Sequence, residues 1–232
     1  GVMTQKGDSQ THVLKLMKNI YGQKQAGHVW NTTYLVKGLK QIGFKQSTVD
    51  ECVFYCGKTI FACYVDNGIF AGPDLEDIEQ SIHQLREHGF HIEDKGDIKD
   101  YLGIHLCQTP GKPTKLFQPH LIDQLISDVH LPANTLKCTP TLSMRILQCN
   151  EDEPDFDGCF HYCSVIGKLN FLEKSTQPDI AYVVHQCAHF CEHPKQSHGD
   201  AVIHLMKYLA AMWNEGIILD PQSEKSFKVF VD

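Results

Sequence analysis

The sequence predicts an α+β fold, an antiparallel sheet with helices on one face. Three observations carry that reading. Between residues 52 and 72, short β-rich runs are separated by Gly, Asp and Asn at turn positions, the pattern of consecutive hairpins. Apolar residues recur at helical spacing over 26–42 and again over 75–87. Strands and helices mix irregularly, which favours a sheet with helices on one face. A chain of 232 residues with 42% hydrophobic content can bury one sizeable core or two small ones.

The elements follow in order. Residues 1–12 are polar and are expected to be loosely ordered. Trp30, Leu35, Leu39 and Ile42 predict a helix over 26–42, which Gly43 can end. Residues 52–56 and 59–64 predict two strands around Gly57-Lys58. The run then reaches Asp66-Asn67, expected to form a tight turn, and Gly72-Pro73 closes a third strand. Asp74 stands where it can cap a helix over 75–87, with Asp77 favourable to the helix dipole and Ile78, Ile82 and Leu85 as its buried stripe. Alternation over 90–93 and 101–107 predicts further strands, with 115–117 pairing. After Pro119 a helix carries Leu121, Ile122, Leu125 and Ile126. Pro132, Pro140 and Pro154 mark a long connection over 132–159. Three helices are expected over 160–173, 178–191 and 197–213, then strands at Ile217–Leu219 and 227–231.

The chain is organised around Phe61-Ala62-Cys63-Tyr64-Val65-Asp66-Asn67-Gly68-Ile69-Phe70-Ala71-Gly72. Turn chemistry alone explains Asp and Asn at a hairpin tip. A carboxylate held rigidly there also suits a metal ion. The flanking blocks are Tyr21-Gly22-Gln23-Lys24-Gln25-Ala26 with Trp30 following, Gly96-Asp97-Ile98-Lys99-Asp100-Tyr101-Leu102-Gly103-Ile104, the segment 162–169, and Thr176-Gln177-Pro178-Asp179-Ile180-Ala181. In this order and spacing the chain resembles the reverse transcriptase of copia-type LTR retrotransposons, from about residue 12 to its C-terminus.

The resemblance implies a fragment of an RNA-directed DNA polymerase from a Pol polyprotein. It assigns a partial palm to 1–118, a thumb-like helix and linker to 119–158, a helical connection to 159–226, and the first strand of a ribonuclease H domain to 227–232, with Asp232 its first metal ligand. Nucleotidyl transfer uses two divalent ions about 3.5–4 Å apart, here Mg²⁺. Asp66 matches a catalytic, metal-ligating aspartate. The family's tip reads Tyr-Val-Asp-Asp, so Asn67 is a degenerate catalytic position that keeps an oxygen and loses a charge. The family's other metal-binding Asp is expected to be missing, because Asp8 stands in the wrong context and Gly1 in place of Met points to a fragment. No polymerase activity is therefore expected of this chain alone.

Nucleic-acid contacts are implied at Gln23, Lys24 and Gln25, beside the incoming nucleotide and template, and at Tyr64, by the primer end. Leu102 and Gly103 match the primer grip. Each has a plainer reading: a wet helix entrance, a hairpin aromatic packing on the next strand, and a bulge. The implied partners are an RNA/DNA primer–template and deoxynucleotides. A palm without its central strand would expose an edge, so poor stability or self-association through that edge is expected. The second function class is a non-catalytic nucleic-acid or protein-binding module derived from the family.

The composition adds constraints. A net charge of −7 suits a polyanion poorly, and the thumb-like helix offers His120 but no Lys or Arg. Only Arg86 and Arg145 are arginines, beside 10 Cys and 14 His. His28, Cys163, Gln177 and His189 stand where the family carries Arg, each one transition from a CG-type Arg codon; a decaying element copy is expected. His185, His189 and His193 would share one helical face and could suggest zinc, but no C-x₂-C pair accompanies them. No run of 18 apolar residues and no signal-peptide core occur, so no membrane partner and an intracellular location, cytoplasm or nucleus, are expected.

Overall fold

The computed structural model describes residues 19–20, 22–109, 111–132, 135–141, 146–148 and 151–220. The expectations for 1–12, the strand over 227–231 and Asp232 lie outside the described residues. The chain divides into two compact units, Gly1–Gly96 and Asp97–Asp232. Both are α+β, and each holds a four-stranded antiparallel sheet.

In the first unit the expected helix is present but interrupted. An α-helix at Ala26–Val29 (α1) widens into π turns over Trp30–Leu35 and resumes at Val36–Gln41 (α2). The inserted π turns rotate the apolar stripe, so Leu35 and Leu39 are buried while Trp30 is 38% exposed. Strands Lys45–Gln46 (β1), Val53–Cys56 (β2), Thr59–Tyr64 (β3) and Asn67–Ala71 (β4) pair in chain order. The hairpin around Gly57-Lys58 forms as expected, with Cys56 opposite Thr59.

The helix over Leu75–Glu87 (α3) has the expected bounds, and buries Ile82 and Leu85 with Ser81; Ile78 is half-buried. Asp74 takes the N-cap position without capping it by a side-chain bond. Phe54, Phe61 and Cys63 from one face of the sheet pack with Leu35, Leu39, Phe44 and Leu85 into one core. Helices thus cover one sheet face.

The strand expected over 90–93 does not form. Phe90 donates its N–H to the Leu85 carbonyl at the end of α3, and Arg86 binds the Ile92 carbonyl at 3.1 Å. Phe90 and Ile92 pack against the core from this irregular segment. The alternation therefore reflects burial of two side chains, not ladder pairing.

The second unit holds Asp100–Tyr101 (β5), Ile104–Cys107 (β6), Thr114–Phe117 (β7) and a terminal strand, Ile217–Leu219, that pairs with β7. The single strand expected over 101–107 is in fact two, broken at Leu102-Gly103. Helices Pro119–Asp128 (α4), Tyr162–Ser175 (α5), Ala181–Ala188 (α6) and Gln196–Ala211 (α7) follow the expected order; the terminal strand is β8. A short 3₁₀ turn at Pro178–Ile180 joins α5 to α6. Ile122, Leu125, Val165, Leu169, Val184 and Leu205 belong to the shared helical core. Thr176 donates to the buried Gln118 Oε1 at 2.9 Å, and Gln177 donates to the Glu215 carbonyl at 2.8 Å, while Gln118 Nε2 is buried without a hydrogen-bond partner. Among the described residues no helix is long and apolar enough to cross a membrane.

Candidate nucleic-acid and metal site

The hairpin of β3 and β4 has a two-residue loop, Val65-Asp66, with Tyr64 paired to Asn67 behind it. This corrects the expected Asp66-Asn67 turn. The register decides the matter. It sets Phe61 opposite Phe70, with ring centroids 4.6 Å apart. A turn one residue later would set Phe61 opposite Gly72 and Ile60 opposite Pro73, which has no N–H for the ladder. The observed register forces Val65 to φ 55, in the left-handed region that a β-branched residue rarely enters. Gly68 is required on packing grounds: a Cβ there would lie 2.6 Å from the Phe61 ring.

Tyr64, Asp66 and Asn67 are all exposed, and Tyr64 is 59% so. Pairing places Tyr55 and Ile60 on the same sheet face as Tyr64, with Lys45 opposite Tyr55 at the rim. Tyr55 is 45% and Ile60 39% exposed, so this face is aromatic, apolar and open. Sequence reasoning missed Tyr55, Ile60 and Lys45. Apolar residues occur on both faces of β2 and β3, so the sequence carries no signal for which face stays open.

Gln23, Lys24 and Gln25 lead into α1. Gln23 closes a turn: its Oε1 accepts from the Ile20 N–H at 3.2 Å, and its carbonyl accepts from the Ala26 N–H at 3.0 Å. Its side-chain oxygen is thus engaged locally, while Lys24 and Gln25 are exposed. Leu102 and Gly103, in the second unit, form the two-residue loop between β5 and β6, at φ 51 and 79. Positive φ at both loop positions fits the right-handed twist of the strands. Gly103 meets that demand without strain, whereas Leu102 meets it with its side chain 42% exposed. The structure thus groups Tyr64, Asp66 and Asn67 at one tip and holds Leu102 and Gly103 on another loop.

Among the described residues no three His, Cys, Asp or Glu side chains converge to hold a metal ion. The helical histidine face does not form, because α6 ends at Ala188, before His189 and His193. His185 instead contacts the buried Glu173 at 3.0 Å, and Cys187 is fully buried.

Comparison with known proteins gives the context. A profile of the family described as reverse transcriptase (RNA-dependent DNA polymerase) matches residues 2–143. The chain is 29% identical over 233 residues to the retrovirus-related Pol polyprotein from transposon RE1 of Arabidopsis thaliana, covering 97% of this chain and 15% of that polyprotein. It is 26% identical over 208 residues to the one from transposon TNT 1-94 of Nicotiana tabacum, covering 85% of this chain and 16% of that polyprotein. The putative transposon Ty5-1 protein of Saccharomyces cerevisiae is 25% identical over 205 residues, which is 85% of this chain and 65% of that protein. The chain therefore spans about 15% of the length of the plant polyproteins it matches. No solved structure matches it.

Proposed function

Because the chain belongs to the reverse transcriptase (RNA-dependent DNA polymerase) family, we propose that it is the palm-centred part of an RNA-directed DNA polymerase from a copia-type Pol polyprotein. The observation that carries this reading is Asp66, an exposed carboxylate on a two-residue tip with Tyr64 and Asn67 paired behind it. The open face bearing Tyr55, Ile60 and Tyr64 is the seat for primer–template. Flat aromatic side chains stack on bases regardless of sequence, and Lys45 and Lys24 supply phosphate contacts. With a net charge of −7, such attraction has to be local. The Leu102-Gly103 loop is the primer grip, α4 the thumb-like clamp, and the helices from α5 onward the connection.

Reverse transcriptases generally use Mg²⁺. A hard ion of this kind takes one or two carboxylates and completes its shell with water and substrate phosphates. Asp66 supplies one anionic oxygen and Asn67 a neutral one, which falls short of a two-ion site. We therefore read the chain as one that grips primer–template without extending it, with Asn67 as the lesion. A module retained only for binding is the second reading, favoured by the open aromatic face.

Two assays on the purified chain test this. Fluorescence anisotropy with a labelled RNA–DNA primer–template should give binding that weakens steeply with salt. Salt-independent or absent binding rejects the nucleic-acid reading. Primer extension by the unaltered chain should be undetectable, and the Asn67→Asp chain should keep the parent's fold. Extension by the unaltered chain rejects the inactivity.

A further inference from the structure

The tips of α5 and α6 bring two cysteines together at a place that the polymerase reading does not use. The two helices form a hairpin joined at one end by the 3₁₀ turn at Pro178–Ile180. At the other end, Cys163 stands in the first turn of α5 and Cys191 in the turn that follows α6. The Cys163 thiol donates to the Cys191 carbonyl at 3.0 Å, across 28 positions of sequence. One residue earlier, the Tyr162 hydroxyl donates to the Cys187 carbonyl at 2.9 Å, which fixes the same two elements against each other. Tyr162 and Cys187 are both buried, so the junction is held from below. Cys163 is exposed and Cys191 half-buried.

From this geometry we infer that Cys163 and Cys191 are a modification site, a dithiol that a hydroperoxide oxidises to an intrachain disulfide closing the open end of the α5–α6 hairpin. The inference is independent of the polymerase reading. Cys163 is the sulfur that peroxide reaches. Its thiolate attacks one peroxide oxygen, the O–O bond breaks, and the leaving hydroxide takes up a proton as water, which leaves a sulfenic acid. The Cys191 thiolate then attacks that sulfur and displaces hydroxide, which leaves as a second water. Overall, two thiols and one hydrogen peroxide give one disulfide and two waters.

The proximity of Cys163, after burial, holds the Cys191 thiol above its ordinary range. The closing step should therefore quicken as pH rises toward the alkaline side, because only the thiolate attacks. Cys187 is the neighbour that does not compete, since it is fully buried and burial pushes it up to about 11.

The closed bridge would restrict the unfolded chain between the two positions and so raise the midpoint of thermal unfolding. The test uses the full chain, freed of reductant and treated with stoichiometric hydrogen peroxide. Intact mass should fall by two hydrogens, and non-reducing peptide mapping should show Cys163 joined to Cys191 as the main product. Cys163→Ser and Cys191→Ser should each abolish that peptide while leaving the circular dichroism spectrum unchanged. Free thiols at both positions, or a main product joining Cys187 to Cys191, would overturn the assignment. A lower unfolding midpoint in the bridged chain would overturn the latch.

Discussion

Adding one methyl group at Gly68 tests how the hairpin that carries Asp66 is held. An alanine Cβ would lie 2.6 and 2.8 Å from two carbons of the Phe61 ring. The optimum for such a contact is about 3.5–4.0 Å, so the ring must move by nearly 1 Å. It has little room, because it is 6% exposed and packs on Phe54 at 6.2 Å and Phe70 at 4.6 Å. Overpacking of this kind costs about 1–3 kcal/mol. With a urea dependence of about 1–2 kcal/mol per M, the midpoint of the first unit should fall by roughly 1 M. Trp30 lies in the first unit and Trp213 in the second, so a Trp213→Phe background makes Trp30 fluorescence report the first unit alone. Phe61→Leu should then return part of the loss, a coupling of about 0.5–3 kcal/mol between touching residues. A Gly68→Ala midpoint within about 0.2 M of the parent, or no coupling to Phe61, would refute the packing argument.

Three further outcomes follow from single residues. His130 sits at φ 50 just past α4, where Leu131 donates to Ile126 and His130 to Ser127; His130→Gly should remove strain of about 1 kcal/mol and raise the thermal midpoint by a few degrees, and no gain would sink the idea. The Tyr208 hydroxyl donates to Asp179 at 2.5 Å, and burial, then that carboxylate, push it up to about 12 from 10.0. A raised folded value means that the contribution is complete below pH 10 and is lost as pH rises toward 12; thermal melts should show that loss in the parent and a flatter profile in Tyr208→Phe. Glu153 accepts from the Ser197 N–H at 2.6 Å and hydroxyl at 2.9 Å, and these bonds hold its carboxyl below the ordinary range. Its contribution is therefore present above the usual carboxylate range and lost as pH falls through the depressed value; hydrogen exchange at the start of α7 should show acid loosening in the parent, and a Glu153→Gln chain with an equal acid response would contradict this.

What the sequence discloses depends on how local the deciding forces are. Helix α3 is legible to its end residues because Pro73 precedes it and Gly89 takes φ 85 beyond it. The Gly57-Lys58 hairpin is legible for the same reason, with Gly57 at φ 58. The Val65-Asp66 turn is not. Local chemistry favours Asp-Asn, and the contact of Phe61 with Phe70 overrides it. Leu102 carries no sign of a left-handed backbone; pairing of Tyr101 with Ile104 imposes it. Residues 90–93 look like a strand because Phe90 and Ile92 are buried, yet their backbone is used to finish α3. At the site, Tyr64, Asp66 and Asn67 are legible because they adjoin in sequence. Tyr55 and Ile60 are not, because apolar residues on both faces of β2 and β3 hide which face stays open.

The same distinction separates the fold from the chemistry at the tip. Asn67 pairs with Tyr64 through its backbone, and its exposed side chain has no part in the register. Asp and Asn have nearly the same size and shape, so the hairpin forms equally well with either. What differs is one negative charge, which the proposed two-ion chemistry would need to hold two cations close together against their mutual repulsion. The packing of this hairpin is therefore the same in a polymerase and in a binder. Stability measurements across Asn67→Asp should be nearly silent, and only an assay that counts added nucleotides or bound cations can tell the two apart.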